Sequence, residues 1–140
     1  IYRNRFDIDL ISRRMAEATM WVAESTRDRA LELGYFGAST GSAAALKASV
    51  EVGVEIRAIV SRGGRPDLVM DILPEVRSPT LFIVGGNDPL VADLNRQAFE
   101  ALTAEKDLRI VEGAGHLFEE PGKLDIVAGL ASKWFRTYLG

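Results

Sequence analysis

Gly37-Ala38-Ser39-Thr40-Gly41 lies between an apolar run at residues 33–36 and an alanine-rich segment at residues 40–52. The apolar run predicts a buried strand, and the alanine-rich segment predicts a helix. The two glycines of the quoted stretch predict a strand-to-helix turn so sharp that larger side chains would collide there. The central serine of such a turn is held in a strained backbone conformation. This stretch therefore predicts a strand–turn–helix unit.

The rest of the chain alternates between helix-like and strand-like segments. Helices are predicted at residues 9–29, 40–52, 68–73, 92–102 and 121–139, and strands at residues 33–36, 56–60, 80–84 and 108–111. The run at residues 80–84 is continuously apolar, which is typical of a strand buried on both faces of a parallel sheet. The alternation predicts one α/β domain over residues 1–140, with a mostly parallel sheet of about four strands and helices on both faces.

The first predicted helix rests on an apolar stripe at helical spacing. Ile11, Met15, Ala18 and Val22 form this stripe, and Asp7 or Asp9 is expected to cap the start of the helix. The basic cluster at this end of the chain is predicted to form a solvated helix face; its members are Arg3, Arg5, Arg13 and Arg14.

Composition excludes several classes of protein. The 140 residues are 47% hydrophobic and carry a net charge of −3, which fits one globular domain and argues against nucleic-acid binding. The absence of cysteine excludes disulfides, thiolate metal sites and a cysteine nucleophile. No apolar run approaches the ~18 residues of a membrane span. We therefore expect a cytoplasmic protein. The first residue is Ile1 rather than methionine, which suggests a fragment of a longer chain.

Three residues with complementary chemistry each follow a predicted strand. They are Ser39, Asp88 and His116, and in open α/β sheets ligands bind beyond the carboxyl ends of the strands. A serine hydroxyl needs a base, and imidazole is the side chain whose charge ordinarily changes near neutral pH. We therefore predict Ser39 as nucleophile, His116 as base and Asp88 as the acid that orients it, with Asp67 in reserve. The backbone N–H of Thr40 is predicted to face the developing oxyanion.

Arg62 and Arg65 flank a Gly-Gly pair after the second predicted strand. Their guanidinium groups suit a carboxylate or phosphate, so both are predicted to bind substrate. In the alternative interpretation, one or both pair with Asp67, Asp71 or a helix C-terminus.

Four stretches together resemble the dienelactone-hydrolase-like branch of the α/β-hydrolase fold, in particular the small hydrolases that occur alone or fused behind a phosphoribosyltransferase domain. They are residues 34–41, 61–68, 81–88 and 113–121, and the Ser-Arg-Gly-Gly-Arg-Pro-Asp loop within the second is the specific marker of this branch. The resemblance implies Ser39, Asp88 and His116 as the catalytic triad and Thr40 as one oxyanion donor. Dienelactone hydrolases proper use a cysteine nucleophile, so Ser39 favours a simple ester or thioester as substrate.

The family fold has further strands before its corresponding first helix, and nothing in residues 1–33 resembles them. The resemblance therefore implies the C-terminal portion of the fold, without the N-terminal strands and the second oxyanion donor. The outer edge of the predicted strand at residues 33–36 is then unpaired, and an unpaired apolar edge invites another chain. We expect the missing N-terminal segment or a second copy of the chain to pair there.

Three functions remain open at this point. The first is a serine hydrolase that cleaves a small ester, thioester or lactone through an acyl-enzyme, with no metal or organic cofactor. The second is a phosphate- or nucleotide-binding module that uses the glycine-rich loop at residues 37–42. The third is a catalytically silent hydrolase-fold fragment that binds a partner.

Overall fold

The computed structural model describes residues 2–140, with side-chain environments from residue 7 onward. Its helices are α1 (Tyr2–Ser25), α2 (Thr40–Glu51), α3 (Pro89–Ala101) and α4 (Lys123–Tyr138), and its strands are β1 (Leu33–Ala38), β2 (Ile56–Arg62), β3 (Thr80–Gly85) and β4 (Lys106–Val111). Two 3₁₀ segments, Arg27–Arg29 and Pro66–Glu75, complete the chain. The predicted alternation of helices and strands is confirmed.

The four strands form one parallel sheet in the order β1-β2-β3-β4. Helices α1, α2 and α3 and the second 3₁₀ segment share a core on one face, and α4 packs on the other face. The α/β class, the parallel sheet and the helices on both faces are therefore confirmed. Because all strands are parallel, their carboxyl ends lie at one edge of the sheet, which is where the candidate site residues follow them.

Strand β3 is the centre of the core, and all six of its residues are buried. Its side chains alternate between the two faces, as the pleat of a strand requires. Phe82 packs in the core under α1 to α3, whereas Leu81 and Ile83 pack in the core under α4. The burial predicted for this strand on both faces is confirmed.

Helix α1 differs from its prediction in bounds and in buried face. It begins at Tyr2, so Asp7 and Asp9 lie inside it and cap nothing. Ile11 and Ala18 of the predicted stripe are exposed. The most buried positions are instead Ile8, Ser12 and Thr19, with relative exposures of 2%, 1% and 7%. Met15, which is partly buried against the same core, lies between Ser12 and Thr19 and completes a face with three- and four-residue spacing. The predicted stripe is therefore wrong at Ile11 and Ala18, whereas Met15 and Val22 are partly buried.

Polar residues occupy this buried face because their hydroxyl groups find partners within the helix. Ser12 Oγ donates to the Asp9 carbonyl at 3.0 Å, and Thr19 Oγ1 donates to the Met15 carbonyl at 2.6 Å. Such bonds within the helix remove most of the cost of burying a hydroxyl.

The basic cluster of α1 is described only in part. Arg13 and Arg14 are exposed, as predicted, and the side chains of Arg3 and Arg5 lie outside the described residues.

One buried hydrogen bond ties α1 to the sheet. Because the Thr19 hydroxyl already donates to Met15, the Tyr35 hydroxyl is the donor in its 2.6 Å contact with Thr19 Oγ1. Burial raises the pKa of Tyr35, and the contact with Thr19 offsets part of that rise. We expect Tyr35→Phe to lower the free energy of unfolding by about 1 kcal/mol, the typical net contribution of such a bond. Urea denaturation measures this change.

A double-mutant cycle with Thr19→Val isolates this bond. The two substitutions are expected to be less costly together than the sum of their separate effects. Strict additivity would contradict a direct bond between the two hydroxyl groups.

Strand β1 has one edge that no other described strand covers, because it pairs only with β2. Phe36 on this strand is 48% exposed, so the prediction of a buried strand is wrong at that residue. A groove of about 260 Å³ lies between α1 and this edge, lined in part by Met15, Val22 and Leu33. Pairing of the edge with an N-terminal segment or a second copy stays a prediction.

Within residues 2–140, no helix combines the length and the apolar character needed to cross a bilayer.

Candidate active site

Ser39 stands at a sharp turn between β1 and α2. Its backbone has φ 51° and ψ −127°, a conformation that residues with a side chain seldom adopt and that often marks functional sites. A Cβ on Gly37 would lie 2.6 Å from the carbonyl oxygen of Gly41 and 2.8 Å from Cα of Ser42. Only glycine therefore fits at position 37 of this turn, as the sequence predicted.

Gly41 does not share this requirement. A Cβ at this position would meet nothing within 4 Å, because the residue lies in the first turn of α2 and faces open space. The steric role that the five-residue pattern predicted for Gly41 is wrong.

The three residues predicted as a triad lie in one hydrogen-bonded series. Ser39 Oγ is 3.0 Å from His116 Nε2, and His116 Nδ1 is 2.8 Å from Asp88 Oδ2. A carboxylate only accepts, so Nδ1 donates its proton to Asp88 and Nε2 is left to accept from the serine hydroxyl. The imidazole is 41% exposed and the Asp88 side chain 17%, so a reactant can approach the histidine from solvent while the acid is largely covered.

The turn that carries Ser39 is fixed by its own carbonyl group. This oxygen accepts from Ser42 Oγ at 2.7 Å, from the backbone N–H of Ser42 at 3.2 Å and from the backbone N–H of Arg65 at 3.2 Å. Ser42 was not among the residues predicted from the sequence, although a hydroxyl three residues after a turn serine is a recognisable signal for a local hydrogen bond.

The loop that carries His116 is fastened by a glutamate. The Glu120 carboxylate accepts from the backbone N–H of Gly115 through both oxygens, at 3.0 and 3.1 Å. This bond to Gly115 is the main reason why the pKa of Glu120 lies below its ordinary value, with a smaller contribution from the charge of Lys123. Glu120 is thus a loop anchor next to the candidate base, and the sequence analysis did not find it.

Acid titration is expected to release this anchor. Since the folded pKa of Glu120 is lowered, its contribution to loop order is present above the ordinary glutamate value of 4.5 and is lost as pH falls through the folded value. The amide resonance of Gly115, followed by NMR, is expected to titrate with a midpoint below 4.5. Glu120→Gln is expected to abolish that titration, and the matched change Glu119→Gln to leave it intact. A wild-type midpoint above 4.5 would contradict the anchor.

Both arginines predicted to bind substrate contact protein groups. Arg65 donates from Nε and Nη2 to the two carboxylate oxygens of Asp67, each at 2.9 Å, and this pairing raises the pKa of Arg65. Arg62 Nη1 donates to the Leu117 carbonyl at 3.3 Å, and its guanidinium carbon lies 5.5 Å from the centre of the Phe118 ring. Substrate binding by either arginine stays a prediction. The pairing with Asp67 also shows why this reserve acid is not the partner of the histidine.

Thr40 occupies the first position of α2, directly after the serine. Backbone N–H groups in the first turn of a helix have no carbonyl partner within that helix. The predicted oxyanion donor is therefore at a position where its N–H is available to a ligand.

A large cavity lies outside the Ser39–His116–Asp88 series of side chains, and the described residues form no cluster of metal ligands. A cavity of about 800 Å³ is lined in part by Ile56, Arg57 and Pro79, which lie at the amino ends of β2 and β3, and so opens at the opposite edge of the sheet from the triad residues. In the part of the chain that the structure describes, no group of three or more histidine, aspartate or glutamate side chains is placed to hold a metal ion.

Comparison with protein-family models gives a match over nearly the whole chain. The model of the dienelactone hydrolase family matches residues 3–137. The chain belongs to the dienelactone hydrolase family. The family resemblance predicted from the four sequence stretches is thereby confirmed, and hydrolase chemistry is what this family membership indicates.

Solved structures agree with this assignment. A dienelactone hydrolase of Anabaena variabilis is 51% identical, superimposes with a TM-score of 0.92, and is matched over 97% of this chain and 63% of its own. An esterase domain of a Rhodothermus marinus protein, 18% identical with a TM-score of 0.67, matches 75% of this chain and 61% of that one; at this identity it shows the fold alone.

Curated relatives link this dienelactone hydrolase family member to longer proteins. A putative phosphoribosyl transferase of Mycobacterium tuberculosis strain CDC 1551 is 50% identical over 136 residues, which are 97% of this chain and 31% of that protein. The relative in strain H37Rv carries the same description and the same coverage. The chain thus spans about a third of the curated relatives it matches, and the predicted association with a phosphoribosyltransferase is supported.

Proposed function

We propose that this member of the dienelactone hydrolase family is a serine hydrolase that cleaves a small ester, thioester or lactone through an acyl-enzyme on Ser39. The observation that carries the proposal is the continuous series from Ser39 through His116 to Asp88, with distances of 3.0 and 2.8 Å. A serine hydroxyl becomes an effective nucleophile only beside a base whose tautomer is fixed by a third group. The proximity of a hydroxyl, an imidazole and a carboxylate at one edge of the sheet supports the proposal.

Acylation follows from this geometry. As Ser39 Oγ attacks the carbonyl carbon of the substrate, its proton passes to His116 Nε2, and the carbonyl oxygen becomes an oxyanion. Asp88 stabilises the imidazolium that forms, because its carboxylate accepts from Nδ1. Collapse of the tetrahedral intermediate breaks the bond to the leaving alcohol or thiol, which takes the proton from Nε2.

Deacylation repeats these steps with water. His116 Nε2 takes a proton from a water molecule as the water oxygen attacks the acyl carbon, and Ser39 Oγ leaves and recovers that proton. In a lactone the leaving oxygen stays attached to the acyl group, so one ring-opened hydroxy acid is released. The 41% exposure of the imidazole supports this step, since water reaches it directly.

The backbone N–H of Thr40 is the proposed oxyanion donor from the described residues. It lies at the start of α2, where the helix dipole adds favourable positive potential. One such donor typically contributes ~10²–10³ in turnover. The esterase named among the structural relatives is consistent with the proposed ester class, but its low identity makes it support for the fold only.

A covalent probe tests the proposal whatever the identity of the substrate. A fluorophosphonate reacts with activated serines, and the tryptic peptide that contains Ser39 spans residues 30–47. We expect one adduct per chain on this peptide, with fragment ions that place it on Ser39 rather than Ser42. The Ser39→Ala variant, which lacks the proposed nucleophile, is the negative control for labelling. An adduct elsewhere, or the same extent of labelling in the Ser39→Ala variant, would end the proposal.

A further inference from the structure

One loop touches all three segments that carry the triad. It is formed by Arg62, Gly63, Gly64 and Arg65 and is called the arginine loop below. It begins at the last residue of β2. Strand β2 lies between β1, which ends at the turn that holds Ser39, and β3, which leads to Asp88. Its contacts with the three segments are made by different groups of these four residues.

The first contact reaches the nucleophile. The backbone N–H of Arg65 lies 3.2 Å from the carbonyl oxygen of Ser39 and 3.1 Å from Ser42 Oγ. No side chain fits at Gly64, where a Cβ would lie 2.1 Å from Ser42 Oγ and 2.2 Å from Ser61 Oγ. The loop backbone is therefore pressed directly against the turn that holds Ser39.

The second contact reaches the helix that follows the acid. Asn95 on α3 is fully buried, and its Nδ2 donates to the Gly64 carbonyl at 3.0 Å and to the Val91 carbonyl at 2.8 Å. Asp88 is the residue immediately before α3, and its backbone carbonyl accepts from the N–H of Ala92 at 3.0 Å. The asparagine thus fixes the first turns of α3, and with them Asp88, relative to the arginine loop.

The third contact reaches the base. Gly63 has φ 53°, and a Cβ there would lie 3.2 Å from the His116 carbonyl oxygen and 3.4 Å from His116 Cε1. Arg62 donates to the carbonyl of Leu117, and its guanidinium faces the ring of Phe118, which is fully buried and has φ 55°. The two residues after the histidine are therefore held by a side chain of the same loop.

We infer that the arginine loop sets the distances between Ser39, His116 and Asp88, and that Arg62 is a positioning residue. The inference rests on the proposed function only where it is tested by the rate of reaction at Ser39. A displacement of about 1 Å at a reacting group costs up to ~10²-fold in rate. Contacts that fix the histidine loop at two points are therefore expected to affect the rate of reaction at Ser39 without changing how tightly a neutral ligand binds.

The test compares Arg62→Met, which keeps an unbranched apolar stem but removes the guanidinium group, with Arg62→Lys and with the matched control Arg96→Met. Arg96 is an exposed arginine that pairs with Asp93 on its own helix. We expect Arg62→Met to lower the maximal rate of phosphonylation by a neutral fluorophosphonate about tenfold, with the half-saturating concentration within twofold of wild type. Arg62→Lys is expected to recover part of the rate, and Arg96→Met to match wild type.

A contribution of Arg62 to substrate binding gives a different result. In that case anionic esters lose affinity in Arg62→Met, whereas the maximal rate with a neutral probe is unchanged. That outcome, or an equal rate loss in Arg96→Met, would overturn the inference.

A second readout is independent of the proposed activity. His116 is the only histidine of the chain, so its two ring ¹⁵N resonances are assigned without ambiguity. We expect wild type to show a predominantly Nδ1-protonated ring and Arg62→Met a more mixed tautomer population. If the wild type is not labelled at Ser39 the proposed function fails, and these shifts alone decide the inference: unchanged shifts in Arg62→Met would refute it.

Discussion

Asp88→Asn is expected to slow phosphonylation of Ser39 by about 10⁴-fold while the fold is retained. The carboxylate holds the proton on Nδ1 of His116, and the contact is 2.8 Å long. An amide nitrogen in its place donates a hydrogen bond to Nδ1 and so favours the ring tautomer whose Nε2 carries the proton. That nitrogen then no longer accepts the serine proton, and losses of about this size are typical of the equivalent change in serine hydrolases. Time-resolved labelling, followed by intact mass, measures the rate.

Asp67→Asn is the matched control for this prediction. Both aspartates follow neighbouring strands of the same sheet, and the sequence left Asp67 as the reserve acid. In the structure its carboxylate is held by both Nε and Nη2 of Arg65, each at 2.9 Å. We expect Asp67→Asn to change the labelling rate by less than tenfold. Equal losses in the two variants would remove Asp88 from the proposed mechanism.

The candidate site could be predicted from the sequence because it needs few residue types in a fixed order. A serine in a glycine-rich turn, an aspartate and a lone histidine each follow a strand, and parallel strands bring their carboxyl ends together. The neighbours of these residues were not predictable in the same way. Glu120 holds its loop through a backbone N–H, and Asn95 holds another loop through a carbonyl; neither bond leaves a pattern in the sequence.

The fold was predictable where burial is decided by the sheet and less so where it is decided by a helix packed on other helices. Strand β3 is apolar throughout and is buried throughout. In α1, by contrast, the buried face carries Ser12 and Thr19, whose hydroxyl groups are satisfied inside the helix or by Tyr35. The predicted stripe included Met15, which is partly buried on this face, but it could not include Ser12 and Thr19. Apolar periodicity does not take into account polar side chains that form hydrogen bonds within the helix.

The names of the curated relatives describe whole proteins of which this chain matches only a part. The curated relatives are described as phosphoribosyl transferases, but this chain spans only 31% of their length. The dienelactone hydrolase of Anabaena variabilis, in contrast, is matched over 63% of its chain with a TM-score of 0.92. The description of those longer proteins is therefore not transferred to this chain, and the chemistry proposed for Ser39 rests on the residues of this chain.

The two glycines that flank the nucleophile are expected to respond in opposite ways to the same substitution. In Gly37→Ala the new methyl group would stand 2.6 Å from the carbonyl oxygen of Gly41 and 2.8 Å from Cα of Ser42. All of these neighbours are backbone atoms of a turn that three bonds to the Ser39 carbonyl already fix, so relief requires the turn itself to move. We expect a loss of about 3 kcal/mol in the free energy of unfolding, at the upper end of overpacking costs, together with loss of labelling at Ser39.

Gly41→Ala places the same methyl group in open space on the first turn of α2. Because alanine is the better helix former by up to about 1 kcal/mol, we expect this variant to be as stable as wild type or slightly more stable. Chemical denaturation of the pair compares one added methyl group at two positions that the five-residue pattern treats as equivalent. Equal destabilisation of the two variants would contradict this prediction. It would mean that the close contact between position 37 and the start of α2 does not distinguish the two glycines.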